Sequence, residues 1–332
     1  MDRSTITSSQ RKAKKGIETL TTKQPNLHRT IHECPNCSAL HPHWDRSEAP
    51  ALVVKSGDTF SMTSPDASNG TLSIRSTPEE MALIDYRKLD PLCGPIFVEG
   101  AEPGDTLAVD VLDLKVGGWG WTGLLTGFGL LHEEFSQPYF RPFDLTSGFV
   151  DLHGSRFALQ PMMGVLGTAP AEAGQFASIT PTRAGGNIDV RYLQAGSRIY
   201  LPVHNTGALL SGGDGHALQG EGEISGTAVE APLESILRVE VIKNRTIRAP
   251  IMDMSTKNYA ETEYRNFLGI GPDLMVAAKD ATRFAVDELA ASLRIAPHEA
   301  YALFGMIAEL RIHEIVDQPN WVVGCMLPKR LF

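Results

Sequence analysis

The stretch from Ser211 to Gly226, SGGDGHALQGEGEISG, constrains the fold and function of this chain more than any other segment. Its polar members stand among glycines, between two apolar segments that are typical of buried strands. Glycine lets the backbone approach a ligand closely, while carboxylates and an imidazole serve as metal ligands and general bases. The stretch therefore predicts either a functional site or a long surface loop with solvated acids. The residues that carry this chemistry are Asp214, His216, Gln219, Glu221 and Glu223.

The composition limits the classes of protein that fit. The 332 residues carry a formal net charge of -9, which argues against nucleic acid as a partner, because non-specific binding needs a basic surface. No apolar run approaches the roughly 20 residues of a membrane span, and no apolar segment follows the basic start. Four cysteines do not make a disulfide framework in a chain of this length. We therefore expect a cytoplasmic protein with no membrane partner.

The first 40 residues divide into two parts. Residues 1–25 show no periodicity and predict a disordered arm. Cys34 and Cys37 follow at C-x-x-C spacing near three histidines. This pair is a structural or accidental feature, a zinc site or a redox pair, in that order of preference. The folded region, residues 26–332, forms either one β-rich domain or two lobes, 26–245 and 246–332.

Short apolar runs that meet glycine turns recur along the chain. Residues 52–60 predict a strand, a tight turn at Gly57-Asp58 and a second strand, and residues 96–114 and 192–201 repeat the pattern. The late part differs, because residues 273–292 place Leu274, Ala278, Ala281, Ala285 and Leu289 on one helical face. A second helix begins at Pro297, and two strands follow it. The sequence thus predicts a β-dominated α+β fold, an antiparallel sandwich or barrel-like scaffold with a late helical pair.

A glycine-rich, aromatic segment spans residues 117–131 and contains Trp119, Trp121 and Phe128. Bulky apolar rings on a flexible backbone favour the wall or lid of a pocket, or else a buried irregular loop. Glu133 follows directly and is a further candidate for acid–base chemistry.

Five strings, taken together with their order, resemble the acetamidase/formamidase family. The resemblance covers roughly residues 38–332. The chain departs from the family pattern at Arg183-Ala184, where many members carry a histidine, and at Glu221, where many carry an aspartate. The strings are residues 94–105 (GPIFVEGAEPGD), 185–189 (GGNID), 201–203 (LPV), 207–209 (GAL) and 213–223 (GDGHALQGEGE).

The resemblance implies hydrolysis of a short aliphatic amide, similar to formamide or acetamide, to a carboxylate and ammonia. It also implies an oligomer built on dimers and a bound divalent metal, zinc or calcium. The departures at residues 183 and 221 predict a substrate shifted away from formamide and acetamide.

Asp214 and His216 stand two residues apart, so an extended backbone points both side chains to one side. We expect them to bind the metal, with His41 and Glu99 completing the ligand set around one cavity. Glu221 or Glu223 would be the general base, with Glu99 and Glu133 as further catalytic candidates. The residues expected to contact the substrate are Trp119, Trp121, Phe128, Asn187 and Gln219.

Two alternatives stay open at this point. A carboxylate such as Glu99 or Glu221 would activate water without a metal, while backbone N–H groups hold the oxyanion. In the second alternative, the chain has the same scaffold but is a non-catalytic binding protein.

Overall fold

The computed structural model describes residues 31–33, 40–254 and 263–332, which belong to one compact unit, Ile31–Phe332. The predicted arm at residues 1–25 and the Cys34/Cys37 pair lie outside the described residues. Strands from before and after residue 245 share one sheet, and the division into one domain, 26–332, or two lobes, 26–245 and 246–332, stays a prediction. Within the described ranges, no helix combines the length and apolar character needed to cross a membrane.

Strands dominate the described residues. In chain order they are β1 (Ile31–Glu33), β2 (His43–Trp44), β3 (Leu52–Lys55), β4 (Thr59–Ser64), β5 (Cys93–Glu99), β6 (Thr106–Val116), β7 (Trp119–Leu124), β8 (Tyr139–Asp144), β9 (Phe149–Leu152), β10 (Ser155–Ala158), β11 (Met162–Thr168), β12 (Phe176–Ala177), β13 (Gly185–Asn187), β14 (Arg198–Pro202), β15 (Leu210–His216), β16 (Glu230–Ala231), β17 (Leu233–Ile242), β18 (Ile251–Asp253), β19 (Tyr264–Gly271), β20 (Glu309–Glu314) and β21 (Trp321–Pro328). The helices are α1 (Pro78–Met81), α2 (Leu274–Leu293) and α3 (Pro297–Ile307).

Two large sheets form the body of the fold. One has nine strands in the order β1-β4-β17-β6-β14-β18-β19-β21-β20. The other has eight strands: β13-β11-β15-β16-β7-β8 in order, with β5 beside β15 and β3 beside β5. Pairing is antiparallel except for β1 with β4 and β3 with β5. The predicted β-dominated scaffold with a late helical pair is confirmed.

The main core lies between the two large sheets. Leu107 and Leu237 reach it from the nine-stranded sheet, Leu166 and Leu210 reach it from the eight-stranded sheet, and all four are fully buried. Because successive side chains of a strand point to opposite faces, the nine-stranded sheet has a second apolar face for the helices to cover. The layers are therefore a helical pair, the nine-stranded sheet and the eight-stranded sheet.

Helix α2 packs directly on the backbone of β19. A Cβ atom added at Gly269 would lie 1.9 Å from the carbonyl oxygen of Ala277, so only glycine fits this contact. Asp273 caps the helix by accepting a hydrogen bond from the N–H of Val276 at 2.8 Å. Of the predicted apolar face, Ala281, Ala285 and Leu289 are buried, but Ala277 takes the buried place expected for Ala278.

Two segments show how distant packing sets strand partners. The turn at Gly57-Asp58 joins two strands as predicted, but β3 pairs with β5 in one large sheet while β4 pairs with β17 in the other. The first half of the segment 117–131 forms β7 between β16 and β8.

Candidate active site

The candidate site lies where three neighbouring strands of the eight-stranded sheet meet in register. His216 of β15 is paired across the ladder with Glu230 of β16, which is paired in turn with Trp121 of β7. Paired residues in adjacent strands project from the same face, so these side chains form one row. Together with Asp214 they are at most 3% exposed, so Asp214 and His216 are not the solvated acids and imidazole of a surface loop.

Two carboxylates lie against the same nitrogen of His216. Asp214 Oδ2 is 2.9 Å from Nε2, and Glu230 Oε2 is 3.0 Å from it. Glu223 Oε1 lies 3.9 Å from Nε2, and Asp189 Oδ1 lies 3.7 Å from Nδ1. The ligand atoms of Asp214, His216 and Glu230 all lie within 4.8 Å of one another, as do those of Asp189, His216 and Glu223.

The carboxamide of Gln219 fixes the orientation of the imidazole. Its Oε1 is 2.7 Å from His216 Nδ1, while its Nε2 donates to the backbone carbonyl of Asp189 at 2.7 Å. Because Oε1 is an acceptor, Nδ1 carries a proton, and Nε2 is the nitrogen presented to Asp214 and Glu230. The sequence predicted that Gln219 contacts the substrate, whereas in the structure Gln219 lies behind His216 and contacts its Nδ1.

A cavity of about 30 Å³ adjoins the cluster. Its polar wall consists of Asp90, Asn187, Asp214, His216, Glu223, Glu230 and Asp317. Its apolar wall includes Ala67, Leu89, Trp121, Leu125, Phe128 and Ile179. No lysine or arginine of the described chain lines it.

Several buried oxygens of this site have no hydrogen-bond donor among the described residues. They are Asp214 Oδ1, Asn187 Oδ1 and both carboxylate oxygens of Asp189. Leaving buried oxygens unpaired is costly, and buried charges need a counter-charge. A site with five lining carboxyls, no lysine or arginine and unpaired oxygens therefore fits a bound cation.

The cluster holds protons at neutral pH. Burial raises the pKa of Glu230 to about 7 and that of Asp189 to about 6, in each case against the opposing effect of His216. Burial and the neighbouring carboxyls raise the pKa of Glu223 well above its usual value. Although burial alone would lower the pKa of His216, Asp214 and Glu230 raise it. These groups are thus able to exchange protons near neutrality.

The backbone is strained around the cluster. Asp90, Asp189, Asp214 and Glu223 have φ angles of 48°, 43°, 49° and 43°, a left-handed conformation that is unfavourable for residues with a side chain. Such strain persists only where surrounding structure enforces it, and it concentrates at functional sites. Here it turns four carboxyls toward one small volume.

Gly164 of β11 makes room for two of these acids. A Cβ atom added there would lie 2.0 Å from Asp214 Oδ2 and 2.6 Å from Asp189 Oδ1. Any side chain at this position would therefore displace the carboxylate that contacts His216.

Of the predicted site residues, six line the cavity and six do not. Those that line the cavity are Asp214, His216, Glu223, Asn187, Trp121 and Phe128. Those outside its lining are His41, Glu99, Glu133, Glu221, Trp119 and Gln219. Of these six, Gln219 contacts His216 from behind, Glu133 is exposed in the loop after β7, and Trp119 packs at the edge of the apolar cluster that contains Trp121 and Phe128.

His41 and Glu99 do not complete the ligand set. His41 Nε2 faces Ser211 Oγ at 3.4 Å, and Ser211 stands five residues before His216, about 16 Å away along an extended strand. Glu99 is the exposed last residue of β5, which pairs antiparallel with β15 and runs away from His216 beyond Leu210. The family-like strings fix which strands are neighbours but not the direction in which each leaves the site.

Glu221 lies in a different network. Its carboxylate contacts the hydroxyl of Tyr192, Arg311 Nη1 at 3.2 Å and His313 Nδ1 at 3.2 Å. Against the effect of partial burial, these partners lower the pKa of Glu221 to about 2. A carboxylate of such low pKa accepts protons poorly at neutral pH, which argues against Glu221 as the general base.

Sequence reasoning missed three acids of the cavity, Glu230, Asp90 and Asp317. Each stands directly beside apolar residues, as in Val229-Glu230-Ala231 and Leu89-Asp90. An acid inside an apolar run is buried more often than one among polar neighbours, and that signal was available.

Comparisons with known proteins agree with this architecture. The profile of the Acetamidase/Formamidase family matches residues 27–177 and 171–332. A formamidase of Methylophilus methylotrophus is 26% identical over 364 aligned positions, covering 88% of this chain and 89% of that protein. An acetamidase of Mycolicibacterium smegmatis is 28% identical over 304 positions, covering 70% and 74%.

A solved structure supports the same family assignment. The crystal structure of an acetamidase from Bacillus halodurans has a TM-score of 0.80 and 31% identity, covering 88% of this chain and 95% of that one. The profile match spans nearly the whole sequence, and it runs through the strands that carry Asp214, His216 and Glu230. This chain belongs to the acetamidase/formamidase family.

Proposed function

We propose that the chain hydrolyses a linear amide to a carboxylate and ammonia in the buried cavity, with a divalent cation held by Asp214, His216 and Glu230. Membership of the family makes the chain a hydrolase of linear amide carbon–nitrogen bonds. The observation that carries the cation is the arrangement at His216, whose Nε2 lies between two carboxylates while Nδ1 is bonded to Gln219.

Of the two possible ligand sets, the first suits the cation better. The first set is Asp214, His216 and Glu230, and the second is Asp189, His216 and Glu223. In the first set both carboxylates lie within 3.0 Å of Nε2, whereas in the second Asp189 approaches Nδ1, which already donates to Gln219. One imidazole with carboxylates suits zinc, while calcium takes oxygen ligands alone. A carboxamide behind the imidazole is the support that metal-binding histidines usually have.

The cation supplies two things when bound: it polarises the amide carbonyl and lowers the pKa of water. Glu223 is placed to move the protons that hydrolysis requires, because it is buried beside the cluster, and burial with the neighbouring carboxyls raises its pKa. In this scheme Glu223 is ionised when water attacks; it accepts a proton from that water and then gives it to the leaving nitrogen, which departs as ammonia.

Asn187 is placed to orient the substrate. Its Nδ2 donates to Asp317 Oδ2 at 2.7 Å, while its Oδ1 is buried without a donor and belongs to a residue that lines the cavity. Oδ1 can accept a hydrogen bond from the NH₂ group of an amide, which neither an ester nor a carboxylate offers. Trp121, Leu125 and Phe128 form the apolar wall that keeps bulk water out.

Ammonia release from formamide and acetamide tests this proposal. Chelation followed by gel filtration should abolish turnover, and zinc should restore it. Glu223→Gln should lower kcat at least about 100-fold, as expected for loss of a general acid–base group, and Glu133→Gln is the matched control with wild-type kcat. Turnover that survives complete metal removal would favour the metal-free alternative, and a chain that releases no ammonia from any amide would favour a binding protein.

The dimer-based assembly and the cytoplasmic location stay predictions. Sedimentation velocity of the purified chain measures the first, and cell fractionation measures the second.

A further inference from the structure

The inner cavity is too small for a whole substrate. Its volume of about 30 Å³ accommodates roughly two water-sized groups. The carboxamide end of a substrate fills that space, so whatever is attached to the carbonyl carbon must extend past the cavity wall.

Phe128 forms part of that wall. Its ring lies on the bare Cα of Gly226, where an added Cβ would come within 2.4 Å of the ring. Gly127 and Gly129 flank it with φ angles of 76° and 101°, which are conformations that glycine adopts freely. One aromatic ring between two glycines thus separates the inner cavity from the space beyond.

Phe128 also lines a second, mainly apolar cavity of about 220 Å³. Its other apolar side chains are Leu124, Leu130, Leu131, Phe135 and Ile224, and its polar side chains are His132 and Ser225. No Asp, Glu, Lys or Arg of the described chain lines it. Leu131, Phe135 and Ile224 are 53%, 58% and 61% exposed, and a contiguous exposed apolar surface marks a binding site.

We propose that this cavity binds the acyl group of the substrate, an uncharged apolar group of about four to seven carbons that is continuous with the carboxamide in the inner cavity. The inference rests on the proposed function. Its support is that Phe128 lines both cavities. The size follows from the volume, because an apolar cavity of about 150 Å³ binds benzene. A charged acyl group is disfavoured by the lining.

The test compares kcat/KM for acetamide, butanamide, hexanamide and phenylacetamide by ammonia release. Burial of each methylene group should raise kcat/KM about fourfold, so hexanamide should exceed acetamide by up to about 200-fold. Ile224→Asp and Leu131→Asp should each lower the hexanamide-to-acetamide ratio at least about tenfold. Phe157→Asp is the matched control, because Phe157 is 46% exposed on β10 and lines neither cavity, and it should leave the ratio unchanged.

Three outcomes would overturn the inference. A ratio that is flat or falls with chain length would refute the acyl site while leaving amide hydrolysis intact. If Ile224→Asp and Leu131→Asp dissociate an oligomer in sedimentation velocity but keep the wild-type ratio, the surface is an interface between copies. If the wild-type chain cleaves no amide of the panel, the proposed function fails together with the inference.

Discussion

Adding one methyl group at Gly164 should disable the site without removing any functional side chain. Its Cβ would lie 2.0 Å from Asp214 Oδ2, so the carboxylate must move about 1.4 Å to restore a 3.4 Å contact. That movement breaks the 2.9 Å contact with His216 Nε2. A misplacement of about 1 Å costs about 100-fold in rate, and overpacking costs about 1–3 kcal/mol in the free energy of unfolding. We therefore expect Gly164→Ala to lower kcat at least about 100-fold.

The assay is ammonia release from acetamide, with urea denaturation and zinc competition against a chromophoric chelator on the same preparation. Gly212→Ala on β15 is the matched control, since its Cβ would meet the ends of Leu166 and Met163 at 3.0 Å and the carbonyl oxygen of Val165 at 3.1 Å, none of which belongs to the candidate site. It should lose stability yet keep kcat within a few-fold. Wild-type kcat and zinc affinity in Gly164→Ala would refute the claim that the position of Asp214 matters.

Three further predictions follow from the same contacts. Gln219→Leu removes the acceptor at His216 Nδ1 and should weaken zinc binding about 10–100-fold, measured by competition. The pKa of Glu230 is raised to about 7, and that of His216 is also raised. The metal-free chain should therefore become less stable to urea as the pH rises from about 5 to 8. Zinc should reverse that loss of stability. Glu221→Gln should lower the free energy of unfolding by about 1–3 kcal/mol at pH 7. The difference in stability between the variant and the wild type should vanish as pH falls from about 4.5 toward 2, where Glu221 loses its charge. Equal stability of the two proteins at pH 7 would contradict this prediction.

Local chemistry made part of the fold predictable. The spacing of Asp214 and His216 on an extended backbone correctly placed both on one side, and the apolar periodicity of residues 273–292 predicted α2. The strand partners were not predictable, because the turn at Gly57-Asp58 has the chemistry of a hairpin but joins strands of different sheets. Turn residues constrain a few dihedral angles, whereas sheet partners depend on packing of the whole core.

Packing between distant segments also decides which residues form the candidate site. Glu230 enters it only because β16 is paired between β15 and β7, and no spacing along the chain encodes that register. Gly164 reads as an ordinary glycine in an apolar strand until Asp214 is placed opposite it. Conversely, Glu99 lies in a segment that resembles the family closely, yet its strand leads away from the cluster.

The central claim is that Asp214, His216 and Glu230 hold the cation on which amide hydrolysis depends. A titration of zinc into the metal-stripped chain, followed by the rate of ammonia release from acetamide, tests it most directly. We expect a negligible rate without metal and a linear rise that saturates at about one zinc per chain, with no rise in Asp214→Asn. A full rate at zero zinc, or an equal rise in Asp214→Asn, would contradict it.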